Sequence, residues 1–460
     1  MRRILFFLMF VLPVYISFGQ VSSGTYTIPG NYASIQAAIT AIKGGVSGSG
    51  GITFKVAAGH TESTTSQLTI TATGTAANPI VFLKDGAGAN PKITRTDAGS
   101  NLTSTIGGLG DAVIRINSSD YFTFDGIDIA TSSSGIEYGF FTSKTASDGV
   151  KNLTIKNCNI TMTKGTSGYV IGIHIGNGTT SLSSATGVTV TSVGGQNENI
   201  VLIGNTISNV HSGIYARGSS AASYLDNNYT IGQSGAGNTI NNIGGGSASS
   251  AYGIYNIYVN NSNIAYNNID NTANGGSGHS NIFYAIFTST ATANSNIFNN
   301  NIKITGSGTT SALYSIYNSY TGSINIYNNI IENGSYTTAT TGALYGIYNT
   351  ASATLVNIYG NILKNTTKTG TGAMYSIYTA STVTANIYNN NIFNWNTASG
   401  SISGIYISSG TTTNVYNNFI SDLKVTDASG TNSVNGIYIS GGTTSNVYFN
   451  SIFLNAISTS

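Results

Sequence analysis

ALYGIYNTASATLVNIYGNIL, residues 343–363, returns as AMYSIYTASTVTANIYNNNIF at 373–393, ISGIYISSGTTTNVYNNFI at 402–420 and VNGIYISGGTTSNVYFNSI at 434–452. Each copy holds a short G-I-Y strand, a small polar turn, and then [IV]-Y-[NGF]-N-x-[IL]. The second Asn can be followed upstream through Asn450, Asn418, Asn390, Asn361, Asn329, Asn300, Asn267, Asn238 and Asn205. The steps are 32, 28, 29, 32, 29, 33, 29 and 33 residues. A period of this size marks stacked repeats, so residues 200–460 read as regular units of about 30 residues.

The units are made of strands. Ile and Tyr alternate with Gly, Asn and Ser over three to five residues, a period of two in β-forming residues. Ser-Gly-Thr-Thr and Asn-Thr-Ala-Ser clusters between them supply turn chemistry. Helical repeats of similar length need amphipathic helices, and leucine-rich repeats need a Leu framework; neither is present. What remains is a parallel β-helix in which each unit winds once and each strand pairs with its equivalent a coil away. Stacking then buries a continuous column that no single Gly-rich unit could bury. About ten to twelve coils, at roughly 4.8 Å per layer, make a rod about 50–60 Å long.

A side-chain amide at a coil corner can both donate and accept along the stack. Asn300, Asn329, Asn361, Asn390 and Asn418 are therefore expected to form one buried, hydrogen-bonded file. Upstream, the same place falls on Cys158 in LTIKNCNI (153–160) and on Ile127 in FTFDGIDI (122–129). The oversized step from Cys158 to Asn205 contains SLSSATGVTVTSVGGQNEN (181–199), expected to be a loop extruded from its coil.

The G-I-Y…N-x-[IL] unit resembles the right-handed parallel β-helix repeat of the pectin lyase-like superfamily, over most of the chain. SIQAAITAI (34–42), GITFKVAAGHTE (51–62), GTAANPIVFLKDGAG (74–88) and YFTFDGIDI (121–129) are similar to the opening coils of pectinesterases and of chondroitinase B- or alginate lyase-like proteins. The resemblance implies an all-β, right-handed parallel β-helix and a polysaccharide context. It implies little chemistry, because one fold hosts many functions.

MRRILFFLMFVLPVYISFGQ carries Arg2, Arg3, a short apolar run, and Ser17 and Gly19 at the −3 and −1 places. It reads as a signal peptide spanning 1–19, followed by a single β-helix domain, 20–460, in an exported or cell-surface protein. No later stretch is apolar enough to span a bilayer. Ile35, Ala38, Ile39 and Ile42 predict a short helix within 31–43, N-capped by Ser34, lying across the open end of the rod. One Cys in 460 residues excludes an intrachain disulfide, and Cys158 is expected to be buried. With 17 basic and 15 acidic residues there is no electrostatic footprint for nucleic acid or anionic membranes. Only ten of those charges follow residue 200.

The resemblance implies that lyases of this kind need a basic residue near acidic or Asn ligands, and hydrolases paired carboxylates. The charged candidates are Asp111, Arg115, Asp120, Asp125, Asp128, Glu137, Lys151 and Lys156. Alternation in FTFDGIDI puts Asp125 and Asp128 outward around a turn glycine, a place that suits turn formers. His211 lacks the paired Asp motifs that should accompany it in polygalacturonases. His174 reads as a packed or surface His, and His60 with Glu62 as structural. No catalytic set transfers residue by residue, and no metal site or cofactor is expected.

The aromatic pattern is more regular. If Ile faces inward, Tyr215, Tyr255, Phe287, Tyr317, Tyr348, Tyr378, Tyr406 and Tyr438 form one outward column. Tyr327, Tyr359, Tyr388, Tyr416 and Tyr448 form a second. In-register rings stabilise a sheet by stacking, and flat hydroxyl-bearing rings beside Asn and Thr also suit sugars. The sequence therefore points to a secreted or cell-surface, non-catalytic repeat protein for adhesion or carbohydrate binding. Its partner would be a polysaccharide or cell-surface glycan, bound at Tyr317, Tyr348, Tyr378, Tyr406 and Tyr438, where no acid pair competes. The alternative is a polysaccharide lyase or glycoside hydrolase with a diverged site in the N-terminal half.

Overall fold

A computed structural model describes residues 19–100, 110–165, 169–179, 187–246, 249–291, 293–350, 352–380, 383–428 and 433–454. The expected signal peptide lies outside these residues except for Gly19. Among the described residues, strands gather in three sheets of 15, 14 and 12 strands, here called A, B and C. Each turn visits them in that order, as in Ile324–Tyr327, Ile330–Glu332 and Leu344–Asn349. Equivalent strands pair parallel and in register: Tyr327↔Tyr359, Ile331↔Leu363, Tyr348↔Tyr378. The chain is a parallel β-solenoid of about 13 turns.

That is slightly more than ten to twelve. The Asn file and its apolar forerunners begin at Ile127, whereas sheet A already holds Val21–Ile28, Val46–Ala57 and Ile80–Asp85. These early rungs are registered by stacked phenylalanines, Phe54 on Phe82 at 4.5 Å and Phe82 on Phe124 at 5.7 Å, so no Asn marks them.

The corner between sheets A and B explains the N-x-[IL] phrase. The residue before most file Asn is left-handed: Asn299, Asn328, Asn389 and Asn417 have φ of 53–55°, and Gly204 and Gly360 have 65°, while Gly237 before Asn238 does not. Gly and Asn tolerate that region best, hence the N/G preference. The next Asn then turns inward. Nδ2 of Asn300, Asn329, Asn361 and Asn390 donates to Oδ1 of the following file member at 2.9–3.0 Å. The same Oδ1 accepts the backbone N–H of the preceding Asn at 3.0–3.1 Å. The second amide proton goes to a backbone carbonyl at 2.9 Å, such as Ile297 O for Asn329 and Ile326 O for Asn361. All four polar valences of a buried amide are satisfied. The file continues upstream through Asn267, Asn238 and Asn205 to the Cys158 N–H.

Ile, Leu, Val and Phe from all three sheets fill the interior. The helix runs Ile35–Ala41 with a 3-10 turn to Gly44, shorter than 31–43 because residues 31–34 make the entry turn and cap. Ser34 Oγ accepts from Ala37 N, and Ile35, Ala38, Ile39 and Ile42 are buried in the core. The described part of the expected extruded loop, 187–199, does not stand clear of the rod. Val190 and Asn197 are buried, and Asn197 bonds Asp226 through Nδ2 at 2.9 Å. Asp226 in turn forms a fully buried ion pair with Lys144 at 2.7 Å and accepts the Tyr229 hydroxyl. A buried carboxylate needs such partners, and they hold this segment down.

Asn361→Ala should cost about 3 kcal/mol, since it strands a buried N–H and a carbonyl, whereas Asn450→Ala on the half-buried last rung should cost under about 1 kcal/mol. Urea denaturation of the two variants checks this.

Candidate functional site

Sheet C carries the expected aromatic column, and its local backbone explains why it is double. In Leu313–Ser319 the burial order is in, out, in, in, out, in, out, so Tyr314 and Tyr317 both face outward around an inward Ser315–Ile316 pair. Leu344–Asn349 and Met374–Thr379 repeat the order. The extra inward place is filled by Gly253, Ala285, Ser315, Gly346, Ser376 and Gly404. A Cβ on Gly346 would lie 2.4 Å from Ser376 O and 2.6 Å from Leu363 Cδ2, so only the smallest side chains fit.

The expected column is continuous: Tyr317 on Tyr348 at 5.0 Å, Tyr348 on Tyr378 at 4.7 Å, Tyr378 on Tyr406 and Tyr406 on Tyr438 at 5.2 Å. Beside it runs a file that the G-I-Y phrase alone did not reveal: Tyr252, Tyr284, Tyr314, Tyr345 and Tyr375, spaced 4.8–5.2 Å. Its signal was in plain view as Y-[GAS]-I-[YF], with the first Tyr three residues before the second. Within a coil the two rings meet edge to face, 5.2 Å for Tyr314–Tyr317 and 4.7 Å for Tyr345–Tyr348. The rings are half-buried with neutral neighbours. Burial, with neighbouring phenols second, pushes the Tyr284, Tyr348 and Tyr375 hydroxyls up to about 12, so they stay protonated donors at any ordinary pH.

Toward the N-terminal end the same column becomes Tyr215, His174, Phe141 and Arg115, now buried. His174 is packed among Tyr138, Phe141 and Tyr215, and desolvation pulls it down to about 3, leaving it neutral. Arg115 lies over the Phe141 ring at 4.9 Å.

The other charged candidates are engaged in structural roles. Asp125 pairs with Lys156 at 3.1 Å and accepts from Asn157. Asp128 accepts from Asn90 and Asn159. Asp120 accepts from Lys151 N. Glu62 accepts the N–H groups of Ile35 and Gln36, capping the helix, with His60 3.5 Å away. Glu137 accepts from Asp111 N, and Arg95 is clamped between Asp97 at 2.6 Å and Asp111 at 3.4 Å. His211 is pulled down to about 4 by burial and accepts from Val170 N. Cys158 is buried, its thiol pushed up to about 12. Among the described residues, no three His, Cys, Asp or Glu converge to hold a metal ion.

The repeat half is less bare of charge than it reads. Three residues after Asn267, Asn300, Asn329 and Asn361, on the outer face of sheet B, stand Asp270, Lys303, Glu332 and Lys364 on successive coils. Asp270 pairs with Lys303 at 3.1 Å and Glu332 with Lys364 at 3.0 Å, beside a recess of about 230 Å³. Each carboxylate has its own cation, and Asp270 also accepts from the Thr272 and Ala273 N–H groups, which suits an ionic ladder better than an acid pair.

No protein-family model and no curated protein matches the chain. Among solved structures it is similar to a GH136 lacto-N-biosidase from Eubacterium ramulus (TM-score 0.48, 12% identity, covering 88% of this chain and 62% of that one). It is also similar to the periplasmic alginate epimerase AlgG (0.35, 12%, 79% and 77%) and to the Streptococcus pneumoniae surface protein and adhesin PfbA (0.30, 12%, 94% and 98%). The chain spans 62% of the length of the first of these.

The Ser315 and Ser376 hydroxyls are buried without a partner. Ser376→Ala should therefore be neutral or stabilising by up to about 1 kcal/mol, and Gly346→Val should destabilise by about 2 kcal/mol or more. Thermal melting of both variants checks this.

Proposed function

We propose that this protein is an exported or cell-surface, non-catalytic glycan-binding rod, and that Tyr317, Tyr348, Tyr378, Tyr406 and Tyr438 form its binding stripe. The observation that supports it is the double file of half-buried phenols on sheet C, with a ring pair on each of several successive coils and, at Tyr284, Tyr314, Tyr345, Tyr348 and Tyr375, only burial and other phenols perturbing the hydroxyls. Such a strip offers a pleated aromatic floor to the apolar faces of sugar rings and a row of hydroxyls to their edges. The ligand is a neutral polysaccharide or cell-surface glycan running along the coils, its affinity rising with chain length. A second reading, lyase or hydrolase chemistry in the N-terminal half, draws support from one observation: Nε of buried Arg115 has no partner among the described residues, beside the Arg95, Asp111 and Glu137 cluster.

A glycan array followed by calorimetry tests the first reading. Changing Tyr348 and Tyr378 together to Ala should weaken binding about tenfold or more while the rod stays folded. Binding should be flat from low salt to about 0.5 M, since no ion pair is made. It should also be flat from about pH 5 to about pH 9, because the raised Tyr284, Tyr348 and Tyr375 hydroxyls keep their protons throughout and lose them only above that window. Unchanged binding in the double variant would reduce the stripe to a stacking ladder. Product release detected by a reducing-sugar assay, and lost in Arg115→Ala, would favour the second reading.

A further inference from the structure

Sheet A carries its own outward aromatic column, on a different face of the rod from the tyrosine stripe. Phe298, Tyr327, Tyr359, Tyr388, Tyr416 and Tyr448 stack at 4.8–5.1 Å with ring planes within 3° of parallel. At its N-terminal end the stack loses a ring. Phe298 is registered on Ala265, and the backbone before that is Gly232, where a Cβ would lie 2.0 Å from Ala265 O. The gap is walled. Gln233–Ala236 form a tight turn closed by mutual backbone bonds, an insertion at a corner that takes two residues in the following coils. Tyr266 stands edge-on to Phe298 at 5.7 Å, held at φ 59° where most coils place Asn or Gly and the last places Phe449. A bulky side chain in the left-handed region is uncommon, and this one sets an aromatic wall beside the gap. The recess measures about 370 Å³, and no charged residue lines it.

Polarity converges on the same point. Beside the rings runs an outer amide chain in which each Nδ2 donates one coil back: Asn446 to Asn414, Asn386 to Asn357, Asn357 to Asn325, Asn325 to Asn296 and Asn296 to Asn263, all at 2.8–2.9 Å. Asn263 is the head of this chain. Its Oδ1 is used, its Nδ2 has no protein partner among the described residues, and it lines the recess next to Thr230. Hydrogen bonds in a chain polarise one another, so the head N–H is a strengthened donor.

We propose that this recess is a second binding site, which takes the terminal ring of a neutral glycan. The ring continues the stack on Phe298, receives the Asn263 amide at a ring or hydroxyl oxygen, and abuts the Gln233–Ala236 turn, which admits a chain end and blocks a passing chain. At about 370 Å³ the site lies at the small end of ligand pockets, enough for one or two sugar rings. It is independent of the tyrosine stripe on sheet C.

Titration calorimetry on the full chain with a panel of neutral disaccharides and their pentasaccharide counterparts (gluco-, manno-, galacto- and xylo-series) tests this. At least one disaccharide should bind, and in the Tyr348 and Tyr378 double variant, whose sheet C stripe is weakened, its affinity should change less than about twofold between disaccharide and pentasaccharide, because only the end is held. Ala265→Phe, which supplies the missing ring, and Asn263→Ala, a surface change that leaves the fold intact, should each lower that affinity about tenfold. The Tyr348 and Tyr378 double variant should leave it unchanged. The proposal is overturned if no disaccharide binds, if both recess variants bind as the wild type does, or if the loss follows the sheet C variant instead. Should Ala265→Phe fail to fold, Asn263→Ala decides alone.

Discussion

Parallel, in-register pairing sets every residue next to its own equivalent, one strand layer away, and the rest of the molecule follows from that constraint. A buried side chain at a repeated position must be able to bond to a copy of itself. Asn meets this demand at the corner between sheets A and B, where its amide both donates and accepts and no valence is left over. Phenylalanine meets it in the early coils by stacking. A repeated charge would not, since like charges one layer apart repel. On sheet B the signs alternate from coil to coil, Asp270, Lys303, Glu332 and Lys364.

The same rule turns a modest sequence preference into extended surfaces. One outward Tyr per unit becomes a column, and the small residue between two outward Tyr turns a column into a pair of columns on sheet C. These faces differ in kind. On sheet C the rings tilt and meet edge to face within each coil, giving a corrugated strip. On sheet A a single file stacks almost flat beside an amide chain, and both files end at the same walled gap.

Much of this was legible before any coordinates. The period of the Asn, the two-residue alternation of Ile and Tyr, and the absence of helical patterning determine a parallel β-helix with Ile inside and Tyr outside. The buried Asn file, the inert Cys158 and the outward columns follow directly. The N-terminal helix was legible from Ile35, Ala38, Ile39 and Ile42, because the apolar spacing and Ser34 cap are local.

Tertiary structure decided what local pattern cannot carry. The early coils hold no Asn at the file position, so their number was visible only once Phe54, Phe82 and Phe124 were seen to stack. Residues 187–199 look like free loop in sequence, yet Asn197 is tied to Asp226, whose own partner Lys144 is 82 residues away. The Asp270 to Lys364 ladder is assembled from single residues roughly one coil apart, each unremarkable alone. The gap before Phe298 is the clearest case. Sequence shows an Ala and a Gly where rings stand elsewhere, but only the stacked coils, the Gln233–Ala236 turn and the unspent amide of Asn263 make that absence a site. Periodicity along the chain specifies which residues align; the space left between aligned side chains exists only after the coils close.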